Sequence, residues 1–368
     1  MSTNTPILNS IYGEVTHPYY IYTPRWINSS AGIKVLHFLC HSLNQKGQKA
    51  FLVFSEPEFL GQPRVNPALH TPILDFETAR AHFNAGINPV VLYSETVPGN
   101  PLGGTAVVRY LMNFPGALGG PKSFLESEML VAFSGTISKY AGKENGEEEY
   151  PVLFIPPIDP RDFEFTSEKE KYQIVYAGKY RSFIGRPPKI GDLKSCEIFR
   201  DGPRMQSREK VINLVKRADV VYSFENSSIV TEAILSGTPA CFVQNDFLGE
   251  VIAKDELGDY GMAKTPSRAD IEEARKTVRL GRDTYFQRIS DFSDSLNKFI
   301  QETQFFAFSN GYQEMIQLPS FNKEVVITKH RKALAFQILR NNGISGLIRV
   351  TYRFVMRRLA FRFWLKNN

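Results

Sequence analysis

The chain has 368 residues, 42% hydrophobic and 22% charged, with a formal net charge of +6, which suits one large or two medium soluble domains. Its three cysteines, Cys40, Cys196 and Cys241, lie far apart without a C-x-x-C pair, which argues against a disulfide framework or a zinc site and for buried thiols in a reducing cytoplasm. The first residues lack the charged and apolar regions of a signal peptide, and no apolar run is long enough to span a bilayer.

In chain order, residues 19–23 read as a strand, 24–32 as a turn-rich loop, 33–43 as a helix and 50–54 as a second strand. His37 and His41 stand one helical turn apart but have no third ligand nearby, so they read as a core or surface pair and no metal is expected. Residues 76–83 read as a helix and 88–94 as a strand. Turn residues then dominate 95–104, a long loop at a strand's carboxyl end, where loops on a rigid scaffold carry function. Residues 106–113 read as a helix ending before Pro115, 129–134 as a strand, and 139–150 as solvated surface. A short strand near 152 breaks at prolines, and 156–171, Pro-rich and then charged, is the linker candidate.

A second series opens with a strand at 172–177 and a basic loop at 178–189. A strand at 195–200 leads through a loop, with Ser207 as a cap, into a helix at 211–217. The apolar run 218–222 reads as a buried parallel strand. Asn226, Ser227 and Ser228 are cap-forming residues, Ile229, Ala233 and Ile234 recur at helical spacing, and Gly237 and Pro239 end the helix before a strand at 240–243. The helix start offers backbone N–H groups and a partial positive charge suited to a diphosphate, at the carboxyl end of a parallel strand where open α/β sheets bind ligands. The other reading is an ordinary β-α-β unit with solvated glutamates. Residues 247–257, 267–280 and 284–305 read as helices, the last closing the second domain. From Val325 to Asn368 there are ten Lys or Arg and no Asp or Glu, interleaved with large apolar residues. That tail suits a helix on an anionic membrane surface, or one packed on the first domain; no nucleic-acid-binding motif accompanies it.

The segment Glu225…Glu232-Ala-x-x-x-Gly237-x-Pro239 resembles the donor-site signature of GT-B glycosyltransferases, written E-x7-E in the large retaining group and E-x6-E here. The resemblance covers most of residues 10–305. It implies two Rossmann-like α/β domains facing a cleft: an acceptor-side domain at 1–165, a donor domain at 166–305, and a return segment with the basic helical tail at 306–368. By that resemblance Glu232 holds the donor ribose and Glu225 lies near the donor sugar, with Asn226, Ser227 and Ser228 at the diphosphate. Gly32 stands where the family's Gly-rich loop approaches the donor phosphates. Gly178, Lys179 and Arg181 match the Gly-and-basic grip on the diphosphate, Arg186 matches by charge, and Arg204 and Arg208 are secondary candidates. The run 93–113 is similar to a segment of bacterial cell-surface polysaccharide glycosyltransferases of the O-antigen or capsule type. Glu95 within it would face the cleft as a base or as a ligand to an acceptor hydroxyl, unless its loop only caps the sheet.

The activity so implied moves a sugar from a nucleotide-diphosphate donor to a hydroxyl of a surface glycan or lipid-linked acceptor, retaining and metal-independent. No cofactor is expected beyond the nucleotide sugar, which is substrate. The protein would be cytoplasmic, held peripherally on the inner face of the membrane by its tail, with no nucleic-acid partner. A same-fold nucleotide-sugar epimerase, or a non-catalytic sugar-nucleotide or membrane-binding partner in polysaccharide assembly, stays open.

Overall fold

The computed structural model describes residues 16–56, 63–145, 149–200, 202–311 and 315–318. The expectations for the basic tail lie outside them. Two Rossmann-like α/β domains face each other across a cleft, as expected. The first sheet contains β1 (Tyr19–Thr23), β2 (Ala50–Phe54), β3 (Val90–Ser94), β4 (Ala106–Leu111) and β5 (Met129–Ala132), all parallel, in the order β2-β1-β3-β4-β5. Helices α1 (Ala31–Gln45), α2 (Phe76–Asn84) and α3 (Gly135–Asn145) belong to it. The second contains β6 (Tyr172–Tyr176), β7 (Lys194–Ile198), β8 (Val220–Ser223), β9 (Ala240–Phe242) and β10 (Met262–Ala263), again all parallel, in the order β10-β9-β8-β6-β7. Its helices are α4 (Gly178–Phe183), α5 (Arg208–Arg217), α6 (Ile229–Leu235) and α7 (Ala253–Leu257). The chain then forms α8 (Arg268–Ser309), 42 residues long.

Local chemistry explains most element starts. Ser30, Asp75, Ser207 and Ser267 cap α1, α2, α5 and α8, each accepting a backbone N–H from three residues ahead. Four expectations are corrected. Residues 106–111 form a central strand rather than a helix; every residue of it is buried, as both faces of a parallel sheet require, and the Val-Val-x-Tyr pattern fits a strand. The basic loop at 178–189 begins with a turn and a half of helix, α4, and of 247–257 only α7 is helical.

The fourth correction concerns α8. Its first half packs Ile271, Ala274 and Val278 on the second sheet. Its last part buries Leu296, Phe299 and Ala307 in the core of the first sheet, where the Thr303 hydroxyl meets the Tyr19 hydroxyl at 2.8 Å and Asn88 Nδ2 donates to the Ala307 carbonyl at 3.0 Å. The segment at 284–305 therefore closes the first domain as well as the second. The chain crosses between domains twice, side by side. The first crossing carries Phe154, which packs on both cores, and Ile158. The Tyr285 hydroxyl of α8 donates to the Ile158 carbonyl at 2.9 Å and accepts its N–H at 3.1 Å, binding the two crossings together. Among the described residues no helix is long and apolar enough to cross a membrane.

Phe299 is 3% exposed and stacks on Tyr19 at 6.2 Å. Phe299→Ala is expected to cost about 3–5 kcal/mol, measured by urea denaturation, with hydrogen-exchange protection lost first from the first sheet. Loss confined to the second sheet would contradict the shared role of α8.

Candidate active site

Each sheet reverses its strand order once, between β1 and β3 in the first and between β6 and β8 in the second. These are the switch points where doubly wound sheets bind ligands. Both open into one cleft of about 930 Å³. It gathers Gly32, Glu95, Gly178, Lys179, Arg181, Arg186, Arg204, Glu225, Asn226, Ser227 and Ser228, that is, every sequence-derived site residue except Glu232 and Arg208.

On the first-domain side, Glu95 directly follows β3 and is 3% exposed. Its Oε2 accepts the Met112 N–H at 3.0 Å, and burial pushes its carboxyl up to about 7, opposed in part by Lys179 across the cleft. The loop that carries it is held rigidly. The fully buried Arg109 of β4 donates to the Val97 carbonyl at 2.7 Å and to the Gly99 carbonyl, and pairs bidentately with Glu128 at 2.9 and 2.8 Å. Asn100 accepts from the Tyr93 hydroxyl at 2.8 Å and donates to the Gly104 carbonyl at 2.7 Å. Gly120, at φ +92°, packs so closely that a Cβ would lie 2.9 Å from the Glu95 carbonyl oxygen. Gly32 lies in the first turn of α1, with only Met112 near the place a Cβ would take.

On the second-domain side, Glu225 follows β8, and its Oε2 accepts the Lys179 N–H at 2.7 Å at the start of α4. This close approach is why residue 178 is glycine: φ is +39°, and a Cβ would stand 2.4 Å from Glu225 Oε1. Burial raises the Glu225 carboxyl, while Lys179 and the backbone donors favour its charged form. Lys179 thus acts electrostatically on both Glu95 and Glu225, and its ammonium makes no ion pair among the described residues.

Several assignments shift. Arg181 is already paired: its Nε donates to Glu197 at 2.7 Å, and it lies over the Phe199 ring. Arg204 stacks on the same ring at 3.9 Å, and Arg208 pairs with Asp162. Arg204 and Arg186 are exposed at the cleft's edge. Asn226 does not cap α6; it ties the loop to 248–252, donating to the Leu248 and Glu250 carbonyls and accepting the Ile252 N–H at 2.9 Å. Glu232, expected to face the ribose, is 2% exposed and takes Arg200 Nη2 at 2.6 Å. Arg200 also donates to Ser228 Oγ at 3.0 Å and lines the cleft, so Glu232 reaches the cleft only through it.

Arg200 is the residue that sequence reasoning missed, since it stood in the expected strand at 195–200. Lys34 of α1 was missed too. It is buried, and burial pulls its ammonium down to about 8 against the opposing pull of Glu232 in the other domain. Its signal was a lysine inside the apolar stripe of a helix. His37 and His41 turn to separate backbone partners: His37 Nε2 donates to the Pro24 carbonyl at 3.1 Å, and His41 Nδ1 accepts the His70 N–H at 2.9 Å. Among the described residues no group of three metal-ligating side chains gathers.

A comparison against protein-family profiles finds no match, and neither does one against curated protein sequences. Solved structures do match. AviGT4, a glycosyltransferase involved in avilamycin A biosynthesis, is 14% identical over 81% of this chain and 100% of its own, with a TM-score of 0.39. WaaG, a glycosyltransferase involved in lipopolysaccharide biosynthesis, is 12% identical over 78% and 99%, with a TM-score of 0.41. Arabidopsis thaliana UGT89C1, solved with UDP-L-rhamnose, is 11% identical over 78% and 99%, with a TM-score of 0.44. The likeness is confined to chain architecture. This chain's own two parallel sheets, with both switch points turned to a shared cleft, have the GT-B arrangement.

Two outcomes follow from this geometry. Gly178→Ala should drive Glu225 off the Lys179 N–H and cost about 1–3 kcal/mol, seen as a lower urea midpoint; an unchanged midpoint would mean the loop relaxes freely. Glu95 keeps its proton in the folded state up to about 7, against an ordinary 4.5 once unfolded. Its contribution to stability is therefore fully present below 4.5 and lost as pH rises through 7. Glu95→Gln should shrink that loss, measured as urea midpoints at pH 4, 6 and 8.

Proposed function

We propose that this chain is a GT-B glycosyltransferase that moves a sugar from a nucleoside-diphosphate donor to a hydroxyl of a surface glycan or lipid-linked acceptor. The observation that supports it most is the placement of Glu95 and Glu225, one from each domain, within the electrostatic reach of Lys179 in one cleft. Transfer forms a bond from the acceptor oxygen to the anomeric carbon and breaks the bond to the diphosphate, which leaves with the electron pair. Lys179, Arg186, Arg200 and Arg204 supply the positive field that stabilises that leaving group, the task a metal performs in other active sites. The start of α1 at Ser30 and Gly32 adds its partial positive charge. Glu95, ionised, takes the acceptor proton, and a carboxyl near 7 is poised for that at neutral pH. The retaining outcome rests on the glutamate signature. The tail, with its ten basic residues and no acidic ones, would hold the enzyme peripherally on the cytoplasmic membrane face, where a lipid-linked acceptor lies.

The first test is a thermal-shift screen with UDP-, GDP-, dTDP- and ADP-sugars. A ligand at 100 times its Kd adds about 2.7 kcal/mol to the folded state; no response to any of them would sink the reading. With the binding donor, Lys179→Ala should lose most of the shift, whereas Glu95→Gln should keep the shift and lose turnover. Wild-type turnover should rise with pH through about 7, and that inflection should vanish in Glu95→Gln. Donor consumption without added glycan would instead indicate an epimerase.

For the tail, sedimentation with phosphatidylglycerol vesicles at low salt should weaken as salt rises, since each basic residue contributes about 1 kcal/mol near the surface. Deleting the chain after Gly343 should abolish sedimentation and spare donor binding; loss of donor binding would mean that the tail packs on the body.

A further inference from the structure

The cleft contains another buried carboxyl that the reading above does not use. Glu256, on α7, is 8% exposed and lines the cleft. Its Oε2 accepts the Thr231 hydroxyl at 3.0 Å, the one hydrogen bond of this carboxyl among the described residues. Burial, aided by the neighbouring Asp255 carboxylate, pushes its carboxyl up to about 7, so it is able to donate as well as accept at neutral pH.

Its place is fixed from both domains. Thr231 belongs to α6, the helix that follows the Glu225 loop. Asp255, next in the chain, accepts the Thr136 N–H of α3 in the first domain at 2.8 Å, and its carbonyl accepts Arg288 Nε at 3.1 Å. On so rigid a mount at the wall of the cleft, the carboxyl's other oxygen is free to bond a ligand.

Strand order says which part of a ligand that is. Across the second sheet, Lys179 and Arg186 follow β6, and Arg200 and Arg204 follow β7. Glu256 follows β9, on the other side of the Glu225 loop, beside the apolar Ile252 and Ala253. The basic end suits the charged nucleoside diphosphate. The far end offers an uncharged surface and one carboxyl, which suits a group rich in hydroxyls. We infer that Glu256 hydrogen-bonds a hydroxyl of the donor's sugar and so takes part in selecting which sugar is transferred. This rests on the glycosyltransferase reading. A site built to bond a hydroxyl rejects the analogue that lacks it, because the site's own polar group is left unpaired.

The test is calorimetry on the full chain with paired ligands: UDP, GDP, dTDP and ADP, each against its hexose ester. In the wild type one pair binds, the ester more tightly. Glu256→Ala should lose about tenfold in affinity for the ester and leave the bare diphosphate unchanged. Glu256→Gln, which keeps a donor and an acceptor, should recover most of the loss. Thr231→Val, which removes only the orienting hydroxyl and avoids the risk of an unfolded variant, should show a smaller loss in the same direction. Undiminished ester binding in Glu256→Ala, or an equal loss for ester and bare diphosphate, overturns the assignment while the glycosyltransferase reading stands. A wild type that binds no member of the panel overturns both.

Discussion

Burial of one long helix in two cores sets the geometry of everything in the cleft. Each parallel sheet needs both faces covered, and α8 covers part of both. A fully buried Phe or Leu contributes about 1.5–3 kcal/mol, so Leu296, Phe299, Val278 and Ile271 together resist any arrangement in which the helix leaves either sheet. Because the other crossing is bound to the same helix at Tyr285, the domains are joined along one edge. The two switch points then have only one direction in which to face. The distance across the cleft, which decides whether Glu95 and Lys179 interact, is set by hydrophobic contacts remote from both.

Within the cleft, two of the cations are neutralised before any ligand arrives. Glu197 holds Arg181 and Glu232 holds Arg200. Such pairs lose mobility, so their cations meet a ligand with the ordering cost already met, which is the physical content of preorganisation. Lys179, Arg186 and Arg204 are the more exposed cations. The site thus combines fixed charges deep in the cleft with mobile ones at its mouth. Asp255 adds a constraint between domains by accepting the Thr136 N–H at the start of α3, and capping a helix is worth about 1 kcal/mol.

The two-domain plan, the order of most elements and eleven of the cleft's residues were legible in the sequence, because each rests on local chemistry: a Ser cap, a Gly past a helix end, a run of Val and Ile. The failures share a cause. Arg109 made β4 look like part of a helix, since a central strand buries both faces and an arginine there is prohibitive until Glu128, 19 residues on, pairs with it. Glu232 looked like a ligand residue because its partner, Arg200, is 32 residues away. Lys34 and Glu256 were invisible, the first significant only through its burial and the pull of Glu232 in the other domain, the second only through its burial at the cleft. The single helix α8 was read as two, at 267–280 and 284–305, and assigned to the nearer domain, as sequence proximity suggests.

The route of α8 has a consequence for synthesis. Domains usually fold in the order in which they leave the ribosome, the N-terminal one first. Here the first sheet is emitted early but lacks part of its covering until Leu296, Phe299 and Ala307 emerge, and later still Ile316, which packs beside Tyr93 while the Gln317 N–H donates to the Leu102 carbonyl. The second sheet has most of its covering earlier. The nascent N-terminal half must therefore wait with apolar strands incompletely covered while the half behind it completes its fold, and a helix made after the second sheet finishes the domain made first.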